Sequence, residues 1–576
     1  MSRRGQLLGE ALILGFCAAL PLLSLVGHPG HILADADSEL PVKLWTNHQF
    51  WSHSGLFGGF VGTLGWPTPG PLNNPELMAT LWFAPWRDTL GEAFAWNSLV
   101  FATLWANMLS LWWAARARVT HPWAAVAAAA AFGLTPLALS YGVMSAITDV
   151  LQLWPYPLAL HFGLRALGTD ARRTDGLVAG LLVGLGALTC IYNVVVFAPV
   201  VAPVLVWIAL RWRAAPIPAR RLGLAVGGAA LGVGLVAGPF LAWMGALMGG
   251  AGSQMSDEMV AATRHAWPFS DLRPELEDRY TAFLRDYLAI GKGALITRDL
   301  GSRFYRAFSP GVLLWGLAGV ALWRRRPEAG LWAGMALFFV LASVGPFLPW
   351  TAELAAPLPV NPVFLLCFYA VPGGDILLEP FRYGLPAALA LAMAAALGLD
   401  AVGDRLGRAL PAALALVLGE LLLLSPLPWP LPVAQPTVPP WMATLDAELP
   451  AGALIELPWF EAGSARFYRE RMLHQRAHGR PIGAGIGGLP PSYFLENGLL
   501  RAAMAAEEPP ALFGIGGAAP GEIERGAQQL VADGFAAILV HPGQYRSAAH
   551  ADAVAALLGA HARREERDGA WIFILR

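Results

Sequence analysis

Eleven apolar segments follow one another between Leu7 and Leu427, and they constrain the fold of this chain more than any other feature. A helix that crosses a lipid bilayer needs about 20 predominantly apolar residues. Most of the segments approach that length, and few charges interrupt them. They cover Leu7–Val26, Phe94–Ala114, Trp123–Tyr141, Val150–Leu167, Gly176–Leu210 (two segments, divided near Thr189–Asn193), Leu222–Met248, Gly311–Trp323, Gly330–Gly345, Tyr383–Leu399 and Ala409–Leu427.

Composition supports the same class of protein. Hydrophobic residues make up 56% of the 576 residues and charged residues 14%, with a mean hydropathy of +0.51. Soluble globular domains carry about 25% charged residues. We therefore expect a polytopic α-helical membrane protein with about 11 transmembrane helices.

Arginine clusters indicate which end of each helix faces the cytoplasm, because short cytoplasmic loops carry an excess of Lys and Arg. Alternating the eleven helices across the membrane places every dense arginine cluster on one side. The clusters are Arg3–Arg4, Arg116–Arg118, Arg165–Arg173, Arg211–Arg221, Arg324–Arg326 and Arg405–Arg408. The N-terminus is then cytoplasmic, and the first segment, which lacks a small-residue cleavage site, is expected to remain as an anchor.

The basic residues also indicate the source of the chain. Lys43 and Lys292 are its two lysines, and Arg and Ala are abundant. This bias is typical of a GC-rich bacterial genome. The predicted location is therefore the bacterial inner (cytoplasmic) membrane, in which the protein is multi-pass.

The alternation across the membrane divides the chain into three parts. Residues 1–428 form the transmembrane domain, a Pro-rich linker follows at 429–440, and residues 441–576 have ordinary charge density. The outer loops of the first part lie at about 27–92, 249–309 and 346–382. Strand-like runs in the last part, "ALIELPW", "AAILVHP" and "AWIFILR", alternate with helical patterns. We predict a C-terminal soluble α/β domain on the periplasmic or extracellular side.

Net charge and cysteine content exclude two further classes. A net charge of -1 and a pI near 6.9 leave no broad basic surface, so nucleic acid is not an expected partner. Cys17, Cys190 and Cys367 lie far apart without CxxC spacing. Neither a disulfide framework nor a cysteine zinc site is indicated.

The first outer loop opens with an acidic motif. "DADSE" places Asp35, Asp37 and Glu39 within five residues, directly after the first helix leaves the membrane. The rest of the loop is aromatic and Gly-rich, which suits the membrane interface. A carboxylate at this boundary can accept a proton from a hydroxyl group or hold a divalent cation beside a phosphate. Solvation of the helix end is the alternative interpretation, and the presence of three carboxylates so close together counts against it.

Three further stretches accompany the acidic loop: "YGVMSAITDVLQLWPYPLAL" at 141–160, "PGGDILLEPFRYGLP" at 372–386 and "HQRAHGRPIGAG" at 474–485. With these four stretches and this order of parts, the chain resembles the GT-C glycosyltransferase superfamily. Members of that superfamily transfer sugars from polyprenyl-phosphate carriers on the outer face of the membrane. Within it, the chain is most similar to uncharacterised bacterial members and YfhO-type membrane proteins.

The resemblance implies an inverting membrane glycosyltransferase. The catalytic aspartate of the family, found in the first outer loop, matches Asp35 or Asp37, which would act as the base. The same two residues are candidate ligands of a divalent cation, Mg²⁺ or Mn²⁺, and no other cofactor is expected. The implied donor is a polyprenyl-phosphate-linked hexose or pentose. The acceptor is a glycan, a lipid or a protein, and membrane lipids surround the helices.

Five residues are candidates for substrate binding: Glu39, Asp149, Arg303, Arg306 and Arg382. Asp149 lies at the outer end of the fourth segment, where an ionisable group is costly unless it faces a polar cavity. A solvated loop position is the alternative for Asp149. An Arg382 guanidinium could hold a carrier phosphate. The alternatives for Arg382 are an ion pair with Glu379 and a position in which its long side chain extends so that the charge reaches the membrane interface.

Two other functions remain open. The chain could be a GT-C-like scaffold without catalytic activity that binds lipid or glycan as an accessory protein. A transporter of lipid-linked glycans has less support, because transporters typically place charged or broken helices near the bilayer midplane. The acidic residues of this chain instead lie at the outer rim.

Overall fold

The computed structural model describes residues 2–35, 38, 40–49, 58–61, 66–67, 70–73, 76–212, 217–250, 284–288, 296–297, 305–346, 360–372, 374, 379–435, 437–459, 466–483, 492–507 and 515–576. Within these residues the chain forms a bundle of apolar helices, followed by a smaller unit built on a mixed β-sheet.

Sixteen α-helices of the described residues precede the sheet unit. They are α1 (Arg3–Ala19), α2 (Leu40–Gln49), α3 (Leu77–Leu90), α4 (Glu92–Arg116), α5 (Pro122–Gly133), α6 (Thr148–Leu151), α7 (Pro155–Leu167), α8 (Asp175–Thr189), α9 (Ile191–Phe197), α10 (Val201–Trp212), α11 (Ala219–Gly250), α12 (Val312–Trp323), α13 (Ala329–Ser343), α14 (Pro362–Ala370), α15 (Gly384–Leu406) and α16 (Ala412–Gly419).

Every one of the eleven predicted segments overlaps at least one of these helices. Within the described residues, five helical stretches are long and apolar enough to cross a membrane. They are Arg3–Leu25, Glu92–Arg116, Ile191–Leu210, Ala219–Ala242 and Pro380–Ala409. A sixth results if α5 and the turn Ala138–Met144, bent by 47°, form one span. The chain is a multi-pass membrane protein by length and composition.

The predicted number of eleven spans is not reached by these length criteria. The helices at four of the remaining predicted positions, α7, α8, α12 and α13, have only 12 to 15 residues. The fourth segment illustrates the reason. Its apolar run begins at Val150, but the long helix starts at Pro155, whose fixed φ favours the first turn of a helix.

Helix α15 lies at the centre of the bundle. Of its most apolar stretch 89% is buried, against 17% for that of α11. Helices α5, α12 and α13 pack directly around α15. The peripheral helices instead leave large apolar side chains exposed, among them Leu12 on α1 and Leu235 on α11. Such surfaces suit contact with lipid.

Helices α8 and α11 approach each other through small residues. Gly176, Gly180 and Gly184 recur every four residues and so share one face of α8. A Cβ atom at Gly180 would lie 2.1 Å from the backbone oxygen of Ala229 on α11. Small residues at this spacing allow close packing of helices in membranes.

The arginines predicted to be cytoplasmic meet at one end of the bundle. A cavity of about 710 Å³ has five of them in its lining: Arg3, Arg116, Arg118, Arg165 and Arg221. In the same region Arg326 forms an ion pair with Asp400 near the C-terminal end of α15. The Asp400 carboxylate also accepts hydrogen bonds of 2.8 Å from the backbone and hydroxyl of Thr120. The side of the membrane that this end faces stays a prediction.

Short elements fill part of the loops between the long helices. The first loop carries α2, α3 and an antiparallel hairpin of β1 (Gly58–Val61) and β2 (Gly70–Asn73). The second carries β3 (Ile296–Thr297) paired with β4 (Tyr305–Arg306). These loops therefore contain defined structure in their described parts.

The C-terminal part folds around one four-stranded sheet. Its strands are β5 (Ala453–Leu457), β6 (Phe535–Val540), β7 (Ala562–Arg567) and β8 (Ala570–Leu575). Its helices are α17 (Leu445–Glu448), α18 (Arg466–His478), α19 (Ser492–Glu496), α20 (Gly498–Ala505), α21 (Pro520–Ala532) and α22 (Ala548–Gly559). The strand order is β5-β6-β8-β7, with β5 parallel to β6 and the other pairs antiparallel. The three predicted strand runs correspond to β5, β6 and β8.

A tight turn closes the hairpin between β7 and β8. Asp568 has φ +45° and Gly569 has φ +78°. Two successive positive φ angles define the type I′ turn that matches the twist of a two-residue hairpin, and Asp-Gly is a preferred sequence for it. The turn lets the terminal run "AWIFILR" pair antiparallel with β7, so that it forms β8, the third strand in the order of the sheet.

The first loop packs into the core of the sheet unit. The buried side chains of Val42 and Trp45 on α2 belong to the same apolar cluster as Ile455 and Phe573. Trp45 Nε1 donates a hydrogen bond of 2.6 Å to Gln475 Oε1 on α18. The loop and the sheet unit therefore share one hydrophobic core.

The Pro-rich segment predicted as a linker also makes specific contacts. The backbone N–H of Leu431 donates to Ser24 Oγ at 2.7 Å. Ile32 and Ala434 exchange two backbone hydrogen bonds of 2.8 Å. Leu427, Leu431 and Ala434 are buried in the main core. This segment runs along the start of the first loop and packs against it.

Trp45→Phe is expected to lower the free energy of unfolding by about 1–3 kcal/mol, because it removes the donor to buried Gln475 while most of the packing remains. The matched control is Trp82→Phe, since the Trp82 side chain is 40% exposed and its N–H donates to Ser98. Denaturant unfolding of the purified protein, followed by circular dichroism, measures both. Equal effects of the two substitutions would contradict the assigned role of Trp45.

Candidate functional site

The candidate site lies at the end of the bundle opposite the arginine-lined cavity. Arg382 belongs to a short 3₁₀ turn, Pro380–Tyr383, that leads directly into α15. Asp400 lies near the other end of this 23-residue helix. A helix of that length spans about 35 Å. The two charged regions therefore lie at opposite ends of α15.

An ion pair between Arg382 and Asp149 forms the centre of the site. Arg382 Nη1 lies 2.5 Å from Asp149 Oδ2, and both residues are buried. They are 233 positions apart in the chain. Removing an ion pair from water costs several kcal/mol per ion, which close geometry and further hydrogen bonds must offset.

Glu379 provides a second carboxylate to the same guanidinium. Arg382 Nε donates to Glu379 Oε2, and the hydroxyl of Tyr141 donates to Glu379 Oε1 at 3.0 Å. The Tyr141 ring also packs edge-to-face against Phe381 at 4.9 Å between ring centroids. Arg382 is therefore held in place on two sides by carboxylates.

Neighbouring groups fix Asp149 as well. Its Oδ1 accepts a hydrogen bond of 2.8 Å from the backbone N–H of Val150, and Asn193 Nδ2 donates to its backbone oxygen at 2.6 Å. Burial alone raises the pKa of Asp149, but the positive charges of Arg382 and Lys43 hold this pKa below its ordinary value. Asp149 is therefore ionised at neutral pH.

Two residues that the sequence analysis did not select complete the charges at this site. Glu76 forms an ion pair with Lys43 and accepts a hydrogen bond from the Thr148 hydroxyl. Together with Asp149, Arg382 and Glu379 they make up what we call the charge cluster, which contains three carboxylates and two cations. The rarity of lysine in this chain was the available signal for Lys43.

A backbone hydrogen bond places Asp35 near the charge cluster. Its N–H donates to the backbone oxygen of Met144 at 2.8 Å, five residues before Asp149 in the chain. The Asp35 side chain is half-buried. The acidic loop and the 141–160 stretch, which the resemblance selected separately, are thus adjacent.

The second loop reaches the same place. The backbone N–H of Ala307 donates to Ser140 Oγ at 2.9 Å, and Phe308 packs edge-to-face on Phe381. Arg306 is the last residue of β4 and directly precedes Ala307, so the Arg306 backbone also lies near the site. Arg303, Asp37 and Glu39 lie outside the described residues, as does the side chain of Arg306, and the expectations for them stay predictions.

A cation bound by Asp35 and Asp37 also stays a prediction. The Asp35 carboxylate offers oxygen ligands, which Mg²⁺ and Mn²⁺ prefer. Where side chains are described, the set of three metal-ligating residues with ligand atoms within 4.8 Å of one another is Glu456, His474 and His541. That set belongs to the sheet unit.

Fold and site define a multi-pass membrane protein with a buried charge cluster at one end of its helical bundle. No model of a known protein family matches the chain, and no curated protein matches it. Among solved structures, arabinofuranosyltransferase AftD from mycobacteria is similar, with a TM-score of 0.47 and 16% identity over 100% of this chain and 41% of that one. The chain thus spans less than half of the length of AftD.

Two further structures are similar. The apo oligosaccharyltransferase of Archaeoglobus fulgidus has a TM-score of 0.45 and 13% identity over 92% of this chain and 69% of that one. ArnT from Cupriavidus metallidurans, bound to undecaprenyl phosphate, has a TM-score of 0.38 and 14% identity over 100% and 98%. All three are GT-C glycosyltransferases, the class that the sequence motifs predicted. Because all three TM-scores are below 0.5, the function proposed for this chain rests on the geometry of its own site.

Proposed function

We propose that this chain is a GT-C-type membrane glycosyltransferase, which moves a sugar from a polyprenyl-phosphate carrier to an acceptor on the outer face of the membrane. One observation carries the proposal. Three of the four stretches that resemble the superfamily meet at one end of the bundle: the acidic loop through Asp35, the 141–160 stretch through Asp149, and the 372–386 stretch through Arg382.

Asp35 is the proposed base. Asp35 would take the proton of the acceptor hydroxyl while that oxygen attacks the anomeric carbon of the donor sugar. The bond between this carbon and the phosphate oxygen breaks, and polyprenyl phosphate leaves with the bonding electrons. The reaction is a single displacement that inverts the anomeric centre. Asp37 is the alternative base.

Asp149 fits a positioning role better than that of base. Its two carboxylate oxygens are already engaged, Oδ1 by the backbone of Val150 and Oδ2 by Arg382. Arg382 uses Nε and Nη1 for Glu379 and Asp149, and its Nη2, which makes no hydrogen bond within the described residues, could contact a donor phosphate. The two carboxylates would orient this guanidinium towards the carrier.

The charge balance supports a metal requirement. Among the described side chains, the charge cluster contains more carboxylates than cations, and Asp35 beside it adds another carboxylate. An approaching phosphate therefore meets net negative charge from these groups. Asp35 and Asp37 would hold a divalent cation, which would supply positive charge to the leaving phosphate. Arg303 and Arg306, on the second loop, are further candidates for the phosphate.

A transfer assay on the purified protein tests the proposal. Polyprenyl-phosphate hexoses and pentoses serve as donors, with cell-envelope lipids and glycans as acceptors. Asp35→Asn is expected to lower the transfer rate about 10²- to 10⁴-fold, the usual contribution of a general base. Asp404→Asn is the control, because that side chain is 98% exposed at the other end of α15. Unchanged rates in Asp35→Asn, Asp37→Asn and their double variant would remove these carboxylates from the mechanism.

The alternative of a non-catalytic scaffold rests on the same ion pair. Arg382 is buried and already paired twice, which also suits a purely structural role. A scaffold would bind polyprenyl-phosphate lipid in vesicles without transferring sugar from any donor. Binding that persists in Asp35→Asn, together with an inactive wild type, would favour this alternative.

A further inference from the structure

Glu456, His474 and His541 come together at one edge of the C-terminal sheet. Glu456 lies on β5, and His541 directly follows β6. Because β5 and β6 are parallel, their carboxyl ends lie at the same edge of the sheet. Helix α18 brings His474 to this edge. Three chain segments thus supply one side chain each.

The three side chains converge on a single oxygen atom. Glu456 Oε2 lies 2.8 Å from Nδ1 of His474 and 2.8 Å from Nε2 of His541. Glu456 and His474 are buried, with 3% and 7% of their surface exposed, and His541 is slightly more open. This arrangement has a protected interior and access from the His541 side.

Several buried polar atoms around this point lack partners in the described part of the chain. Glu456 Oε1 accepts no hydrogen bond there, and Arg471 Nε and Nη1 donate none. Arg471 precedes His474 by one turn of α18 and is close enough to act on the charge of Glu456. A buried polar group without a partner is unfavourable, so a ligand that pairs with these atoms would stabilise the fold.

We propose that Glu456, His474 and His541 bind a divalent transition-metal ion. Two imidazole nitrogens and one carboxylate oxygen form a known ligand set for zinc sites that keep a fourth position open. Metal–ligand bonds of about 2.0–2.1 Å in a tetrahedron separate the ligand atoms by about 3.3 Å. Each imidazole nitrogen therefore needs to move only about 0.5 Å away from Glu456 Oε2, and all three ligand atoms already lie within 4.8 Å of one another.

The unpaired atoms then acquire partners. Water at the fourth position can donate a hydrogen bond to Glu456 Oε1, and its oxygen offers an acceptor to Arg471. The two histidines would bind through Nδ1 of His474 and Nε2 of His541, each with its proton on the other ring nitrogen. This site is separate from the charge cluster, and it gives the His474 stretch a function of its own.

Metal analysis of the full-length protein in detergent tests this proposal. The protein is stripped with EDTA, loaded with Zn²⁺, dialysed and analysed by mass spectrometry of the metal. One zinc per chain is expected in the wild type. His541→Ala is expected to weaken zinc binding by more than about 100-fold, since even the loss of outer-shell partners costs 10–100-fold. His561→Ala, a half-exposed histidine on the same unit, is the control and should bind zinc like the wild type.

Two measurements on the unaltered protein cover the case in which a variant fails to fold. Co²⁺ in place of zinc should give the visible absorption of a tetrahedral site, and EDTA should reversibly lower the melting temperature. Wild-type protein that retains no zinc and shows no cobalt spectrum would overturn the proposal. The three residues would then form a hydrogen-bonded His–Glu–His group without metal. Equal zinc content in the wild type and in a folded His541→Ala variant would overturn it as well.

Discussion

Arg382→Met is expected to destabilise the protein by about 3–5 kcal/mol, the usual cost of removing one partner of a buried ion pair. The substitution leaves Asp149 and Glu379 facing each other without the cation that separates them. Asp149→Asn should cost less, because Arg382 then keeps Glu379 as its partner. Unfolding in detergent, followed by tryptophan fluorescence, measures the difference. Arg408→Met, at an exposed position after α15, is the control.

The double variant Asp149→Leu/Arg382→Met distinguishes the effect of an unpaired buried charge on stability from the effect of altered packing. Replacing both members of a buried pair with apolar residues is often nearly neutral. We expect the double variant to be more stable than Arg382→Met alone, although Glu379 still lacks its cationic partner and keeps only the Tyr141 hydroxyl. If the changes in free energy of unfolding caused by Asp149→Leu and by Arg382→Met add up to the change in the double variant, the two charges do not depend on each other for stability.

Gly180→Leu is expected to prevent recovery of folded protein. The first side-chain atom would already lie 2.1 Å from the Ala229 backbone oxygen and 2.7 Å from its Cα atom. No rotamer relieves this overlap, because the conflict involves the Cβ atom and backbone. Helices α8 and α11 would have to separate along the whole Gly176, Gly180 and Gly184 face.

Gly227→Leu is the matched control for this prediction. Gly227 lies on α11, and outside its own helix no atom of the described residues lies within 4 Å of the Cβ position. Size-exclusion chromatography of fluorescently tagged protein measures the folded fraction of each variant. We expect a single symmetrical peak for Gly227→Leu and aggregated material for Gly180→Leu. A folded Gly180→Leu protein with an unchanged melting temperature would contradict the close packing of these helices.

Much of the fold could be predicted from the sequence because it depends on local composition. Every predicted apolar segment overlaps a helix, since burial in lipid requires apolar residues and internal backbone hydrogen bonds. The strands β5, β6 and β8 also follow their apolar runs. Helix lengths were less predictable. Val150 continues an apolar run, yet the long helix begins at Pro155, and hydropathy does not register such backbone preferences.

The candidate site was predictable only in part. Asp149 and Arg382 could be selected because each is an ionisable residue at the end of an apolar segment. Their contact was not predictable, since no sequence pattern links positions 149 and 382. Glu76 lies in a loop among ordinary polar residues, so nothing in its surroundings marked it. The same applies to Glu456 and His541, which come together only through the parallel pairing of β5 and β6.

The packing of Trp45 against the C-terminal sheet limits how the protein can be divided or recombined. Residues 441–576 are not an exchangeable module, because Val42 and Trp45 complete their core and the Trp66 indole donates to the backbone oxygen of Asp533. A chimera that transfers the sheet unit to another membrane scaffold must include the matching first loop. That loop also carries Asp35, so a chimera that exchanges the C-terminal unit also exchanges the proposed base.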